Sequence, residues 1–316
     1  MSTATATSPA DIAFACMGGD VRLRSTDRGS RGELEASRDW LLDAADRLSR
    51  FVPTSELCGL NDDPRAVVPA SSLLRAAVRA MLRAAERSGG LVDPTLLGEL
   101  ERSGYSTSRA SAEPLALAQA LALAPPRVPA RPRADARWTR IRVDDRAGTI
   151  ARPPGLRLDS GGSAKGLLAD VLARRLWHLN RVAIDCAGDV RIAGLGTRSD
   201  PQEIEIVSPL TGRVAAHLWL GDGAIATSGL DRNVWRSPGG GVAHHLLDPS
   251  TGCAAWTGLV GATAIAPSAL DAETLAKTAL LGGPERGREL LAAGGGLLFH
   301  DDGEVEVAGL PPEVLR

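Results

Sequence analysis

The sequence predicts an α+β fold, and two observations carry that reading. Segments with apolar residues at helical spacing occur in both halves of the chain. The second half also carries short alternating segments separated by turn residues. Hairpins mixed with long helices argue for α+β and against a doubly wound parallel sheet.

The elements follow in chain order. Residues 1–12 are small and polar and read as a disordered tail ahead of a single domain over 13–316. Residues 33–51 read as a helix, with Leu34, Trp40, Leu41, Ala44, Leu48 and Phe51 on one stripe. A second helix spans 72–87, with Leu73, Leu74, Ala77, Val78, Met81 and Leu82 as its apolar face. "LALAPPRVPARPR" (121–133) closes a helical pattern with a proline-arginine connector, and a hairpin turning at 145–148 follows. Residues 163–179 form a third helix, with Leu167, Leu168, Val171, Leu172 and Leu176 toward a core. Strands are expected at 181–185, 203–207, 213–220, 242–247, 259–266 and 303–309, with "SPLTG" as a turn between the second and third. A last helix covers 271–281, with Ser268 as N-cap, Asp271 at the fourth position of a capping box, and Gly282, Gly283 and Pro284 as its stop.

Composition excludes several classes. A chain of 316 residues, 44% hydrophobic and 23% charged, has the makeup of a soluble globular protein able to bury a sizeable core. A formal net charge of −2 argues against nucleic acid or a membrane surface as main partner. No apolar run is long enough to span a bilayer, and "MSTATATSPADIAFAC" lacks a basic n-region and a hydrophobic stretch, so a cytoplasmic location is expected. Cys16, Cys58, Cys186 and Cys253 are irregularly spaced, which fits free thiols in a reducing compartment.

Lysine and arginine together number 36, yet only Lys165 and Lys277 are lysine. A compact ammonium differs from a guanidinium where space is tight or a point charge is wanted. Lys165 lies in "GGSAKG", where glycines allow close approach of a ligand and a helix start offers free N–H groups to phosphate. The spacing is not that of a Walker loop, and a plain glycine-rich turn after a strand remains open. Thr227, Ser228 and Gly229 offer hydroxyls and a close approach at a strand end, or an ordinary hydroxyl turn. Of the adjacent His244 and His245, a strand points at most one into a given cleft, and a histidine there can accept a hydroxyl proton. Glu273 and Lys277 stand four apart on a helix, by default an exposed ion pair.

Taken in order, "DSGGSAKGLLAD", "IDCAGDVRIAG", "AIATSGLDR", "HLLDPSTG" and "IAPSALDAETLAKTALLGG" resemble the FAD:protein FMN transferase family, the ApbE-like flavin transferases. "MGGDVRLR", "TSELCGLND" and "LVDPTLLGEL" resemble its earlier signatures, and the similarity covers about residues 13–300. The resemblance implies largely antiparallel sheets flanked by helices in two closely packed lobes. It implies FAD as substrate, a divalent cation, normally magnesium, on the pyrophosphate, and transfer of FMN to a threonine or serine hydroxyl of a partner flavoprotein with release of AMP.

The resemblance also implies roles. Ala164 would lend a carbonyl to the metal. Thr227, Ser228 and Gly229 would line the flavin and phosphate pocket, and His245 would sit where the hydroxyl loses its proton. Asp159, Ser163 and Lys165 would shape the turn, and Met17, Ser55, Asn61 and Asp93 would complete the cleft. Where the family has Asp and Thr as metal ligands, this chain has Glu273 and Lys277, and whether the nearby Asp271 or Thr278 rescues metal binding is left open by the sequence. Glutamate keeps a carboxylate for the metal, but an ammonium offers no lone pair. Gly19 stands where Thr is usual, and Ala187 breaks a glycine pair before Gly188 and Asp189. These departures lead to the expectation that Lys165 and Lys277 approach one pyrophosphate pocket and, with His245, make up the catalytic set. The alternatives are a silent flavin-binding or flavin-delivery protein, an FAD pyrophosphatase and, remotely, a redox enzyme retaining FAD.

Overall fold

Two-residue turns and alternating burial build the central sheet. In the computed structural model, residues 9–107, 115–197, 201–231 and 233–311 are described. Strand β1 (Pro9–Cys16) pairs with β2 (Gly19–Arg28) so that Cys16 faces Gly19. Met17 and Gly18 between them both take positive φ, 52° and 77°, the turn that matches strand twist. Strand β3 (Val182–Cys186) pairs with β2, and the same turn, now Ala187 and Gly188 at φ 60° and 97°, leads into β4 (Asp189–Ala193). Then come β5 (Gly223–Gly229), β6 (Leu259–Ala266), β7 (Gly296–His300) and β8 (Val305–Ala308). Every neighbouring pair is antiparallel, and spatial order equals sequence order.

The helices are insertions into this meander. Between β2 and β3 lie α1 (Arg31–Leu48), α2 (Glu56–Asp62), α3 (Ser72–Arg87) and α4 (Ala164–Arg175). Between β6 and β7 lies α5 (Ala269–Leu291). Leu34, Leu41, Ala44 and Leu48 of α1 and Leu74, Val78 and Met81 of α3 share a core with Val21, Leu23, Val182 and Ile184 of the sheet. A second core joins β6 to α5 through Ala262, Ala264, Ala276, Ala279 and Leu280. The hairpin of Gln202–Val207 and Val214–Leu220 stands outside the main sheet and packs Ile204, Ile206 and Leu218 against Ile192, Ile225 and Phe299.

Several boundaries differ from the sequence reading. The expected tail over 1–12 overlaps β1, which begins at Pro9, because Ala10 and Ile12 are buried in the core; residues 1–8 lie outside the described residues. Helix α1 stops at Leu48, which frees Arg50 and Phe51 for the cavity described below. No strand precedes α4, since residues 157–160 are held by side chains and by Pro94 rather than by a ladder. The stretch 242–247 divides into Val242–His244, paired with Val234–Arg236, and Leu247–Asp248, paired with Cys253–Ala254. His245 thus lies in the bend between two ribbons. Helix α5 breaks at Gly283, at φ 77°, where the stop was expected, then resumes because proline suits the first turn of a new helix. All four cysteines are free, and among the described residues no helix is long and apolar enough to cross a membrane.

Candidate functional site

The crossing of α4 and α5 sets the floor of a large cavity. A Cβ on Gly166 would lie 2.6 Å from Leu270 Cα, so only glycine lets the two backbones approach this closely. The carboxylate of Asp170 accepts from the free N–H groups of Ala269 and Leu270 at 2.8 and 3.1 Å, and Ser268 Oγ accepts from Asp271 N at 3.1 Å. The start of α5 is therefore capped from both its own chain and its neighbour.

At this crossing Gly166 N donates to Glu273 Oε2 at 2.9 Å, while Lys277 Nζ donates to Glu273 Oε1 at 2.7 Å. Glu273 is 1% exposed and Lys277 7%, so the exposed-pair reading is wrong. The close approach at Gly166 buries what helical spacing alone would leave on a surface. Lys165 Nζ donates to Asp189 Oδ2 at 2.5 Å, and Asp189 Oδ1 accepts from Thr227 N at 3.1 Å. Burial opposes charge on Lys165, but Asp189 and then Glu273 outweigh it and raise its pKa. Burial likewise opposes the Glu273 carboxylate, yet Lys277 and Lys165 hold its pKa below the ordinary range.

The cavity measures about 1170 Å³. Both lysines line it, as do Met17, Asp93, Asp159, Ser163, Ala164, Thr227, Ser228, Gly229 and His245. Burial, and after it the charges of Lys277 and Lys165, push His245 down to about 4, so the ring is neutral at pH 7. Its Nδ1 has no partner, while the peptide of Asn233 hydrogen-bonds the ring. His244 points the other way, fully buried with its ring edge on Trp256 at 4.7 Å between centroids. Thr227 Oγ1 shares a hydrogen bond with Thr263 Oγ1 at 2.8 Å.

Three expected site residues do not line the cavity: Ser55, Asn61 and Glu273, the last lying beneath its surface at the helix crossing. Ser55 is the N-cap of α2, accepting from Cys58 N at 3.0 Å. Asn61 grips the peptide of Leu158 from both sides, at 2.8 and 2.7 Å, and so positions Asp159. Sequence reasoning missed one wall altogether. Arg50 ion-pairs with Asp159 at 3.0 Å and stacks on Phe51 and Tyr105, 4.1 and 4.5 Å from the ring centroids. Tyr105 in turn lies 5.3 Å from Trp235. The one signal available was the placement of the chain's single tyrosine in a turn.

Residues 17–298 match the ApbE family. The chain belongs to that family. It is 27% identical over 288 residues to the FAD:protein FMN transferase of Salmonella typhimurium, covering 88% of this chain and 79% of that one. To the FAD:protein FMN transferase of Vibrio cholerae it is 32% identical over 144 residues, 44% of this chain and 43% of the relative. The crystal structure of the ApbE protein of Thermotoga maritima superposes with a TM-score of 0.77 at 24% identity, covering 95% and 97% of the two chains. The α+β architecture with antiparallel sheets is thus the ApbE fold.

The divalent cation that the ApbE resemblance implies does not fit these residues. Both oxygens of Glu273 are committed, to Lys277 and to Gly166, and Lys277 has no lone pair to give. Asp271 is taken by Arg83 at 3.0 Å and by Ser268, and Thr278 Oγ1 donates back to Thr274 O, so neither substitutes. Among the described residues no group of three acidic, histidine or cysteine side chains is placed to hold an ion. Ala164 lines the cavity as expected, but Glu273 lies beneath it as the partner of two N–H donors rather than as a metal ligand.

Proposed function

We propose that this protein is an FAD:protein FMN transferase acting on a threonine or serine hydroxyl of a flavoprotein acceptor. One observation carries the reading. In a chain of the ApbE family, a neutral His245, one of whose ring nitrogens has no hydrogen-bond partner, lines the same cavity as Lys165 and Lys277.

The chemistry follows from that arrangement. The acceptor oxygen attacks the phosphorus on the riboflavin side of the pyrophosphate, and its proton passes to His245. A phosphoester bond forms as the bond from that phosphorus to the bridging oxygen breaks, and AMP leaves with the bridging oxygen. Such a transfer needs in-line positioning and neutralised charge more than covalent help, and fixed ammonium groups provide both. Asp159, Thr227, Ser228 and Gly229 shape the pocket around the flavin and its phosphates. Residues 13–316 are read as one domain, and the four free cysteines favour a reducing compartment such as the cytoplasm.

The test is to incubate the pure protein with FAD and a threonine-bearing acceptor flavoprotein. AMP release with a fluorescent, covalently labelled acceptor is expected. AMP with free FMN would convert the reading to a pyrophosphatase, and neither product would leave a flavin-binding protein. Replacement of His245 by Gln is expected to lower turnover about a hundred-fold, the scale of a lost general base.

A further inference from the structure

We infer that the ammonium of Lys277 takes the place of a metal ion in the flavin-diphosphate pocket, so that this chain binds FAD without a divalent cation. The inference rests on the reading of FAD as the ligand.

Three observations converge. First, Lys277 is nearly buried yet lines the cavity, and Nζ donates one hydrogen bond to Glu273, which leaves further donors for a ligand oxygen. Second, the lysine cannot swing away freely. Glu273 anchors it at 2.7 Å and is itself anchored by Gly166 N at 2.9 Å, across a helix crossing too tight for any side chain at position 166. A buried point charge held this way is pre-organised, as a bound cation would be. Third, both lysines act electrostatically on His245, and both act on Glu273, so the two ammonium groups converge on one region from separate helices.

The row Asp189, Lys165, Glu273, Lys277 alternates in sign. Each buried carboxylate neutralises one ammonium, and the lysines are the members that reach the cavity surface along with their N–H donors. A dication entering here would meet two ammonium groups and a glutamate with no free oxygen. A phosphate oxygen would meet donors. Arg50, 6% exposed along its side chain and paired with Asp159, adds a third cation to the cavity lining, and Lys277 also acts on that carboxylate. The chain's only two lysines thus both line this cavity, each held by a carboxylate and each a compact point charge rather than a planar guanidinium.

The experiment is FAD binding followed by flavin fluorescence on chelator-treated full-length protein, with and without added magnesium or manganese. The expected dissociation constant changes less than about two-fold between the two conditions, because the charge is covalently supplied. Lys277→Met is expected to weaken binding about ten-fold or more in chelator. Because that variant takes from the buried Glu273 its hydrogen-bonded ammonium, the double variant Glu273→Gln with Lys277→Met is measured beside it and is expected to show the same loss. Binding by the wild type that collapses in chelator and returns with magnesium overturns the inference while leaving the FAD reading intact. Undiminished binding by the folded double variant overturns it as well. No FAD binding under any condition overturns both.

Discussion

Floor and wall of the cavity are built by opposite means. The floor is one helix crossing, where backbone contact at Gly166 fixes Glu273 and Lys277 and burial makes their charges interdependent. The wall is stacked from distant stretches: Arg50 after α1, Tyr105, Asp159 and Trp235, joined by ring faces and one ion pair. Protonation shows the difference. The floor holds the pKa of Glu273 down, against burial, through Lys277 and Lys165. In the wall, burial raises the pKa of Asp159 despite Arg50. The fold favours the charge of one carboxylate and disfavours that of the other.

The largest expected effect tests that contrast directly. Glu273→Gln keeps the shape and the acceptor for Gly166 N but strands the buried ammonium of Lys277, and should destabilise by about 3 kcal/mol. Asp159→Asn, the same change in the wall, also takes the carboxylate from the buried Arg50, but Arg50 keeps Tyr105 O and two ring faces. The wall already disfavours the charge removed, so the cost should be smaller, about 1–2 kcal/mol. Urea unfolding of both variants decides the matter; equal losses would erase the distinction. Next comes Gly166→Ala, which forces α4 and α5 apart and should cost about 1–3 kcal/mol through overpacking. It should also weaken FAD binding, since Glu273 and Lys277 ride on the displaced helix.

Acid tests the two buried histidines beside the floor and wall. Burial lowers His244 to about 3 and His245 to about 4. Above an unfolded value of about 6.5 neither state is protonated, so the stability tied to the neutral rings is fully present. As pH falls below that value, the unfolded chain takes up protons that the folded chain refuses. Stability should then drop by about 1.4 kcal/mol per pH unit for each histidine until the folded rings begin to titrate. The buried carboxylates Asp93 and Asp159, raised by burial, work in the opposite direction near their own range. The urea midpoint should therefore fall between pH 6.5 and 5, and His245→Gln should remove about half of that slope. An unchanged slope would mean that His245 is not desolvated as the cavity geometry requires.

Most residues that line the cavity in short motifs were legible in the sequence, while the burial of the floor and the whole of the wall were not. Lys165, Thr227, Ser228, His245 and Lys277 each sit in a short ordered motif whose spacing survives folding, and all of them line the cavity. Ser55 and Asn61 sit in an equally recognisable motif, but a capping hydroxyl and a peptide-gripping amide look the same in sequence as ligand contacts. Burial of the Glu273–Lys277 pair could not be read from helical spacing, because it depends on Gly166, more than a hundred residues earlier. Arg50 was hidden for a related reason. Its partners Tyr105 and Asp159 lie far along the chain, and a stripe rule placed Phe51 on α1 when the helix ends at Leu48.

The smallest expected effect concerns the rim where floor and wall meet. Met17–Gly18 and Ala187–Gly188 form two adjacent turns at the cavity edge, and Ala187 N donates to Asp20 O at 2.9 Å, tying one turn to the other strand pair. Both first residues take positive φ, which an L-residue with a Cβ resists at a cost of about 1 kcal/mol. Ala187→Gly should therefore stabilise the fold by no more than about 0.5 kcal/mol, most of the relieved strain being offset by the freer unfolded chain. Both Ala187 and Lys165 line the cavity, yet the lysine's position is set by its bond to Asp189, so the gain should come without change in FAD affinity. A stabilised variant that binds FAD more weakly would show that the strained alanine positions the ligand, and the rim would then belong with the floor.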